Sequence, residues 1–560
     1  MAVQRAPATS TEILRVIPLG GIGEIGKNMT VFEFADEIVI VDCGLMFPEE
    51  EMYGIDLVVP DIAYLRDKRE RVKAFFITHA HEDHVGGLPY ILPELPGVPV
   101  YASRLARGLL GTKFKEHKLR NNELRSLEPG DTVELGHFEV SSFRIGHSIP
   151  DAMGLRIRTP FGDIVHTGDF KFDHTPVDGK LSDFQDLARY GEEGVLCLMS
   201  DSTRAESPGY TPSERTVGEA FRDIMEGLDG RVIVATFASN IARLQQVFDA
   251  SETFGRQVAV IGRSMEQNSR IAMELDYLHA PRTGLVPKDR VKEIADERLT
   301  IATTGAQGEP MAGLARMANR DHRFVEITPG DTVIVSASPI PGNEEYVART
   351  VDNLFKAGAN VYYHAIKRAH VSGHASQEEL KLMLNLTKPR YVIPIHGEFR
   401  MLVQHGRLAS DVGVAAENIL ILENGQPIEF LADGTARRGQ RVEAGYVYVD
   451  GVSVGEVGDV VLRDRRALAK DGMFLVVVTV DKQRGTLVGD PEVVTRGFVA
   501  SADERLLRGA ADRIAASIAN APGRTSEIGL LKAQIKDGLS SYLFEQTRRR
   551  PLVFPVIVEV

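Results

Sequence analysis

Residues 76–87 read FITHAHEDHVGG, on the end of the apolar run VKAFFI, and their reading decides the rest of the chain. Three histidines and two carboxylates take five of the six positions from His79 to His84. On a loop leaving a strand, His79 and His81 can point to one side while Asp83 and His84 turn back toward a second point. Such offsets suit two nearby metal ions held by neutral imidazole and carboxylate. The plain alternative is a turn of solvated polar residues, and so many ligand types just past a buried strand argue against it. A catalytic metal pair takes about seven donors in all. The further candidates are His147 in RIGHSIPD, Asp169 in IVHTGDFKFD and His396 in YVIPIHGEFR, each just after a strand-like run, where open sheets place functional loops. Singly, each reads as readily as an ordinary polar residue. The set is what carries the signal.

At 560 residues the chain exceeds what one hydrophobic core supports, so several domains are expected. No apolar run reaches the roughly 18 residues of a membrane span, and MAVQRAPATSTE lacks a signal-peptide core. A cytoplasmic protein with no membrane partner is the expectation. Two cysteines, Cys43 and Cys197, argue against a disulfide framework and exclude an all-cysteine zinc site, and both sit in apolar strand-like runs. A net charge of −13 argues against non-specific coating of duplex nucleic acid, yet leaves room for a local basic groove.

Along the chain, residues 12 to 200 read as short strands such as EILRVIPLG, MTVFEF, EIVIVDCG and KAFFITH. At TPSERTVGEAFRDIM the texture changes: Thr211, Pro212 and Glu214 spell a capping box with proline at the first helical position. From there to about 370, strands alternate with helices (RVIVATFA then SNIARLQQVFDA, for example), the pattern of βαβ units and a parallel sheet. After QEELKLMLNL and RYVIPIHG, the Gly- and charge-rich GVSVGEVGDVVLRDRR reads as a linker. FLVVVTVD, an amphipathic helix around ADERLLRGAADRIAASIAN and the strand LVFPVIVEV form a small α+β module.

The pattern HxHxDH, a strand-end histidine, the aspartate of TGD and a late histidine resembles the metallo-β-lactamase superfamily of binuclear zinc hydrolases. The inserted α/β segment with HVSGHAS, residues 370–376, resembles the nucleic-acid-directed β-CASP group. GGIGEIGKN, FASN, TTGAQGEPM, IPIHGE and the C-terminal module extend the likeness over nearly the whole chain to the bacterial ribonuclease J family. The resemblance implies an α/β fold: a metallo-β-lactamase αββα sandwich, an inserted parallel-sheet β-CASP domain and a small α+β C-terminal domain. The expected bounds are 1–212 and 378–452 for the sandwich, 213–377 for the insert, 453–466 for a linker and 467–560 for the last domain.

By the same resemblance, His79, His81, Asp83, His84, His147, Asp169 and His396 hold two zinc ions, with Asp169 bridging and manganese or magnesium as substitutes in vitro. Asp201 in MSDST and His374 in SGHAS take the acid and base positions, their order left open. A zinc-held hydroxide, with its pKa lowered from 15.7 to about 7, would attack the phosphodiester. The activity implied is 5′-to-3′ exonuclease, with endonuclease, on single-stranded RNA carrying a 5′-monophosphate, in mRNA decay and rRNA maturation. Ser239, Asn240, His370, Val371, Ser372, Gly373 and His374 would bind the substrate phosphates. Ser239 and Asn240 follow a strand and open a helix, whose free N–H groups suit an anion; a plain helix cap explains them equally. Gly54, Asp56 and Asp450 match a calcium-like site, or are turn residues at a domain junction. A homodimer or tetramer is implied.

GGIGEIGKN also mimics a dinucleotide fingerprint and, with Asn28 where Ser or Thr belongs, a P-loop. Strand-like MTVFEF follows at once, so the phosphate-binding helix is missing, and a tight hairpin bordering the cleft is expected instead. The rivals are a β-CASP nuclease acting on DNA, a small-molecule hydrolase of the same fold and a catalytically dead RNA-binding scaffold. The long insert disfavours the second and the full ligand set the third.

Overall fold

A computed structural model describes residues 12–49, 51–305, 312–338, 343–364, 366–367, 369–481, 486–498, 504–519 and 528–560. Most of MAVQRAPATSTE and residues 306–311 of TTGAQGEPM lie outside them. The chain forms two compact units, one of residues 1–47 and 58–447, the other of 48–57 and 448–560.

The first unit carries the expected sandwich. An eight-stranded sheet runs from Ala436–Arg438 through Ile13–Gly20, Met29–Phe34, Glu37–Val41 and Val72–Phe76 to Leu124–Ser126. A six-stranded sheet runs from Tyr391–Ile395 through Val195–Asp201 and Gly162–His166 to Thr132–Leu135. Between them, Val16, Phe32, Val39 and Phe76 of one meet Phe138, Leu155, Ile164 and Met199 of the other. The opposite faces are covered by helices: Ala106 and Leu110 of Arg104–Glu116 on the first, Leu187, Met383 and Leu408 on the second. Strands covered on both sides read as continuous apolar runs, as Val195–Asp201 does.

The insert leaves the sandwich after Val195–Asp201 and returns at Tyr391–Ile395, and these two strands pair in parallel, with Asp201 opposite Ile395. It carries a five-stranded, all-parallel sheet ordered Gln257–Ile261, Leu299–Thr303, Val232–Ala235, Thr332–Val335, Asn360–Tyr362.

Three local expectations change. The helix after TPSE starts at Arg215, and Thr211 and Glu214 do not cap it. Thr211 Oγ1 donates to His374 O at 2.7 Å and Glu214 pairs with Arg243. The capping box is instead Ser376 with Glu379. GGIGEIGKN does join the antiparallel strands Ile13–Gly20 and Met29–Phe34, but not tightly: Ile22 and Gly23 pair in parallel with Gly397 and Glu398.

In the second unit, Met473–Val480 lies between antiparallel Glu492–Arg496 and parallel Leu552–Glu559. Helices Glu504–Ala519 and Ile528–Thr547 bury Ile514, Ile535 and Leu539 against that sheet. The expected linker 453–466 is partly helical, since Asp459–Asp471 is a helix. Its charged residues leave only Leu462 buried, so no apolar stripe betrayed it.

Candidate metal centre and its cleft

Strand Val72–Phe76 runs parallel to Glu37–Val41, and both deliver the chain to the same edge. There HAHEDH is clamped to the turn after the second strand, where Cys43 N donates to His84 O at 2.8 Å and Leu45 N to Glu82 O at 2.9 Å, and to Asn28, whose N donates to Asp83 O at 2.9 Å. A Cβ at Gly44 would fall 1.6 Å from Asp83 O, so no side chain fits at that position. His147 follows strand Phe138–Arg144, Asp169 follows Gly162–His166 and His396 follows Tyr391–Ile395. His396 has φ 51°, a left-handed conformation held by its N–H bond of 2.8 Å to Gly21 O.

All seven expected side chains converge. His79, His81, His147 and Asp169 form one group, and Asp83, His84, Asp169 and His396 a second, with ligand atoms in each within 4.8 Å of one another. Asp169 belongs to both: its Oδ2 lies 3.2 Å from His84 Nε2, 3.5 Å from His396 Nε2, 3.6 Å from His79 Nε2 and 3.8 Å from His147 Nε2. Among the described residues, its buried Oδ1 has no hydrogen-bond partner.

The surroundings fix which nitrogen of each ring faces the centre. His147 Nδ1 donates to Gly373 O and His84 Nδ1 to Asp42 Oδ2, each at 2.8 Å. Thr78 gives its hydroxyl proton to Asp42, and so accepts from His79 Nδ1 at 3.1 Å. Thr203 likewise donates to Asp201 and accepts from His396 Nδ1 at 2.7 Å. Four Nε2 atoms are left pointing inward, the outer-sphere arrangement of metal-binding histidines. His81 Nδ1 stands 3.0 Å from His79 Nε2 and 3.1 Å from His147 Nε2. Lone pairs so crowded fit a cation between them, since donors about 2.0–2.1 Å from a tetrahedral zinc are themselves about 3.4 Å apart.

The electrostatics divide the centre. Burial pushes His79 and His147 well below the ordinary imidazole range and His81 down to about 4, so all three are neutral. Burial acts the same way on His84 and His396, but the carboxylates win. Asp169, Asp83 and Asp42 raise His84, while Asp169 and the Asp83 hydrogen bond push His396 up to about 9. Against burial, the neighbouring histidines hold Asp83 and Asp169 below the usual carboxylate range.

Beside the centre, His374 Nδ1 lies 2.8 Å from Asp201 Oδ2. Gly373 packs so tightly that a Cβ there would meet the His147 ring at 2.7 Å. A cavity of about 760 Å³ opens from His81, Asp83, Asp169, His374 and His396 to Ser239, Arg263 and His322. Ser239 lines it. Asn240 is buried, and its Oδ1 caps helix Ile241–Thr253 by accepting from Arg243 N at 2.9 Å. Asp42, Thr78, Thr203 and Arg243 had no sequence signal beyond a polar residue near an element's end.

Gly54, Asp56 and Asp450 come together in the second unit, but not as an open cage. Arg465 donates to Gly54 O at 3.0 Å and pairs with the Asp450 carboxylate, and Asp56 Oδ2 accepts from Gly451 N at 2.7 Å. With a guanidinium among these oxygens, the expected calcium ion does not fit. Of the remaining histidines, His166 is buried near the centre with Nδ1 accepting from Gly168 N at 3.1 Å, and His405 Nδ1 meets Ser202 Oγ at 3.0 Å. Arg548, Arg549 and Arg550 are exposed.

Family models match most of the chain: Metallo-beta-lactamase superfamily over residues 22–233, Ribonuclease J, beta-CASP domain over 229–354, Zn-dependent metallo-hydrolase RNA specificity domain over 358–421 and Ribonuclease J C-terminal domain over 460–560. The chain is similar to "Ribonuclease J2" of Bacillus subtilis, at 44% identity over 98% of this chain and 99% of that one. It is 45% identical to "Ribonuclease J" of Thermus thermophilus, over 98% and 95%. A solved structure of a protein of unknown function from Enterococcus faecalis V583 is similar with a TM-score of 0.51 at 17% identity, covering 75% of this chain and 100% of that one, a likeness of fold alone.

Proposed function

This chain belongs to the ribonuclease J family of the metallo-β-lactamase superfamily, and on that premise we propose that it is a zinc-dependent ribonuclease degrading single-stranded RNA from a 5′-monophosphate end, with endonuclease activity besides. The observation that carries the reading is the convergence of His79, His81, Asp83, His84, His147, Asp169 and His396 on two adjoining groups that share Asp169. These seven residues are the proposed ligands of two zinc ions. Held by these residues, such ions would supply a water activated at neutral pH and positive charge facing the phosphodiester.

The protein's own groups do the rest. Asp201 accepts Nδ1–H of His374, and although burial opposes it, that charge and hydrogen bond raise His374 above the ordinary imidazole range. A protonated His374 at the cleft wall is suited to give a proton from Nε2 to the departing ribose oxygen, with Asp201 orienting it. Ser239 and the loop 370–374 form the phosphate pocket of this reading. A pocket that holds the first phosphate next to the cutting centre favours release of mononucleotides from that end. The apolar outer positions Phe554 and Val558 of the last strand, 57% and 43% exposed, support a homodimer or tetramer.

The test is one gel. RNA labelled at the 5′ end and bearing hydroxyl, monophosphate or triphosphate is incubated beside matched DNA, with and without chelator. Labelled mononucleotides from monophosphate RNA, lost with chelator, are expected. Chelator-insensitive cutting overturns the metal reading, equal cutting of DNA overturns the substrate class, and equal rates on the three ends overturn the 5′ preference.

A further inference from the structure

Arg243 lies behind the proposed phosphate pocket, bonded by its side chain to the 370–374 loop and by its backbone to Asn240, the neighbour of Ser239. Its backbone N–H is taken by Asn240 Oδ1 at 2.9 Å, beside Ser239. Its guanidinium, fully buried, reaches the 370–374 loop: Nη1 donates to His370 Nδ1 at 2.6 Å and Nη2 to Val371 O at 3.2 Å. The remaining donors are used as well. Nη1 donates to Ser336 O at 2.8 Å, and Nε and Nη2 form a fork on Glu214 at 2.8 and 2.9 Å. All five guanidinium N–H groups have acceptors, a planar pattern that a lysine ammonium cannot reproduce. Because an arginine only donates, His370 Nδ1 must be bare and its proton must sit on Nε2.

The loop held at His370 and Val371 is fixed again at its far end. Gly373 O accepts from His147 Nδ1, and His374 is held by Asp201. A shift of the Arg243 side chain therefore moves a short segment pinned at the metal centre, and moves it relative to Ser239. We propose that Arg243 is a positioning residue that keeps the two halves of the phosphate pocket in register and thereby sets the preference for a 5′-monophosphate. This rests on the 5′-end reading above. The fully paired cation fits a residue that shapes the pocket and not one that binds RNA itself. Burial, then Arg243, push His370 down to about 2, consistent with a neutral ring.

The experiment uses the full-length, metal-loaded enzyme and compares kcat/KM on RNA with 5′-monophosphate and 5′-hydroxyl ends. Arg243→Lys keeps the charge and loses the fork. The monophosphate-to-hydroxyl ratio is expected to fall at least tenfold, mostly through KM, with metal content unchanged. An equal loss on both ends, or an unchanged ratio, makes Arg243 a merely structural pair and overturns the proposal. Glu214→Gln, near-isosteric, loosens the fork from the other side and should lower the same ratio at least threefold. If Arg243→Lys does not fold, an unchanged ratio in Glu214→Gln overturns the proposal. A wild type indifferent to its 5′ end would sink the underlying reading before any variant is measured.

Discussion

Nδ1 of His374 lies 2.8 Å from Oδ2 of Asp201, and the other oxygen of that carboxylate accepts from Thr203 Oγ1 at 2.8 Å. The proposed acid–base pair is thus tied to the residue that orients His396. Asp201→Asn keeps the shape and removes the charge behind the imidazole. Single-turnover cleavage should fall by about 10² or more, with metal content retained. His374→Ala should behave alike; loss of both metal equivalents from it would make His374 part of the ion cage.

Asp42 accepts from Thr78 N, Thr78 Oγ1 and His84 Nδ1 at 2.8–2.9 Å. Asp42→Asn leaves every proposed ligand in place but weakens the hold on two of them. Metal affinity should drop about 10- to 100-fold, measured by competition with a chromophoric chelator. An unchanged affinity would confine Asp42 to the fold. His81→Ala, by contrast, removes a ligand and should nearly abolish turnover.

In the second group, protons would compete with the proposed metal for the same atoms. His396, pushed up to about 9, is protonated at neutral pH in metal-free protein and paired with Asp83 and Asp169. A raised value gives stability that is complete below about 6.5 and is lost as pH climbs through about 9. Calorimetry of chelated protein should therefore show the thermal midpoint falling between those pH values on this account. Added zinc should raise the midpoint more at the upper pH than at the lower. A gain independent of pH would contradict the pairing.

Ser239 and Asn240 should separate. Asn240→Ala removes a helix cap and should cost about 1 kcal/mol of stability, read by denaturant titration. Ser239→Ala should leave stability alone and raise KM for monophosphate-ended RNA. No change in KM would remove Ser239 from the pocket.

Gly373→Ala places a methyl 2.7–2.9 Å from the His147 ring and Ser148 Cβ. His147 must yield, so metal bound by the first group and turnover should fall together, followed by elemental analysis and cleavage rate.

Much of this was legible because ligand types are rare beside apolar strands. HAHEDH marked the centre, and strand-end His147, Asp169 and His396 joined it as the topology required. The supporting groups were not legible. Asp42, Thr78 and Thr203 are ordinary strand-end residues whose partners lie up to 193 positions away, and only tertiary contact reveals them. The same blindness misassigned Glu214, which in sequence completes a capping box and in space grips Arg243. Asn240 was readable as a cap, and it is one; that its partner Arg243 reaches the distant loop at His370 and Val371 was not.

The pairing of Asp201 with Ile395 has a consequence for the protein's birth. A ribosome must complete the whole insert before Tyr391–Ile395 can add to the sheet and carry His396 into place. A partly made chain holds six of the seven proposed ligands and lacks the last. On the proposed reading, it emerges beside its own messenger unable to close the second cluster, and so stays disarmed until nearly three-quarters of it has been translated.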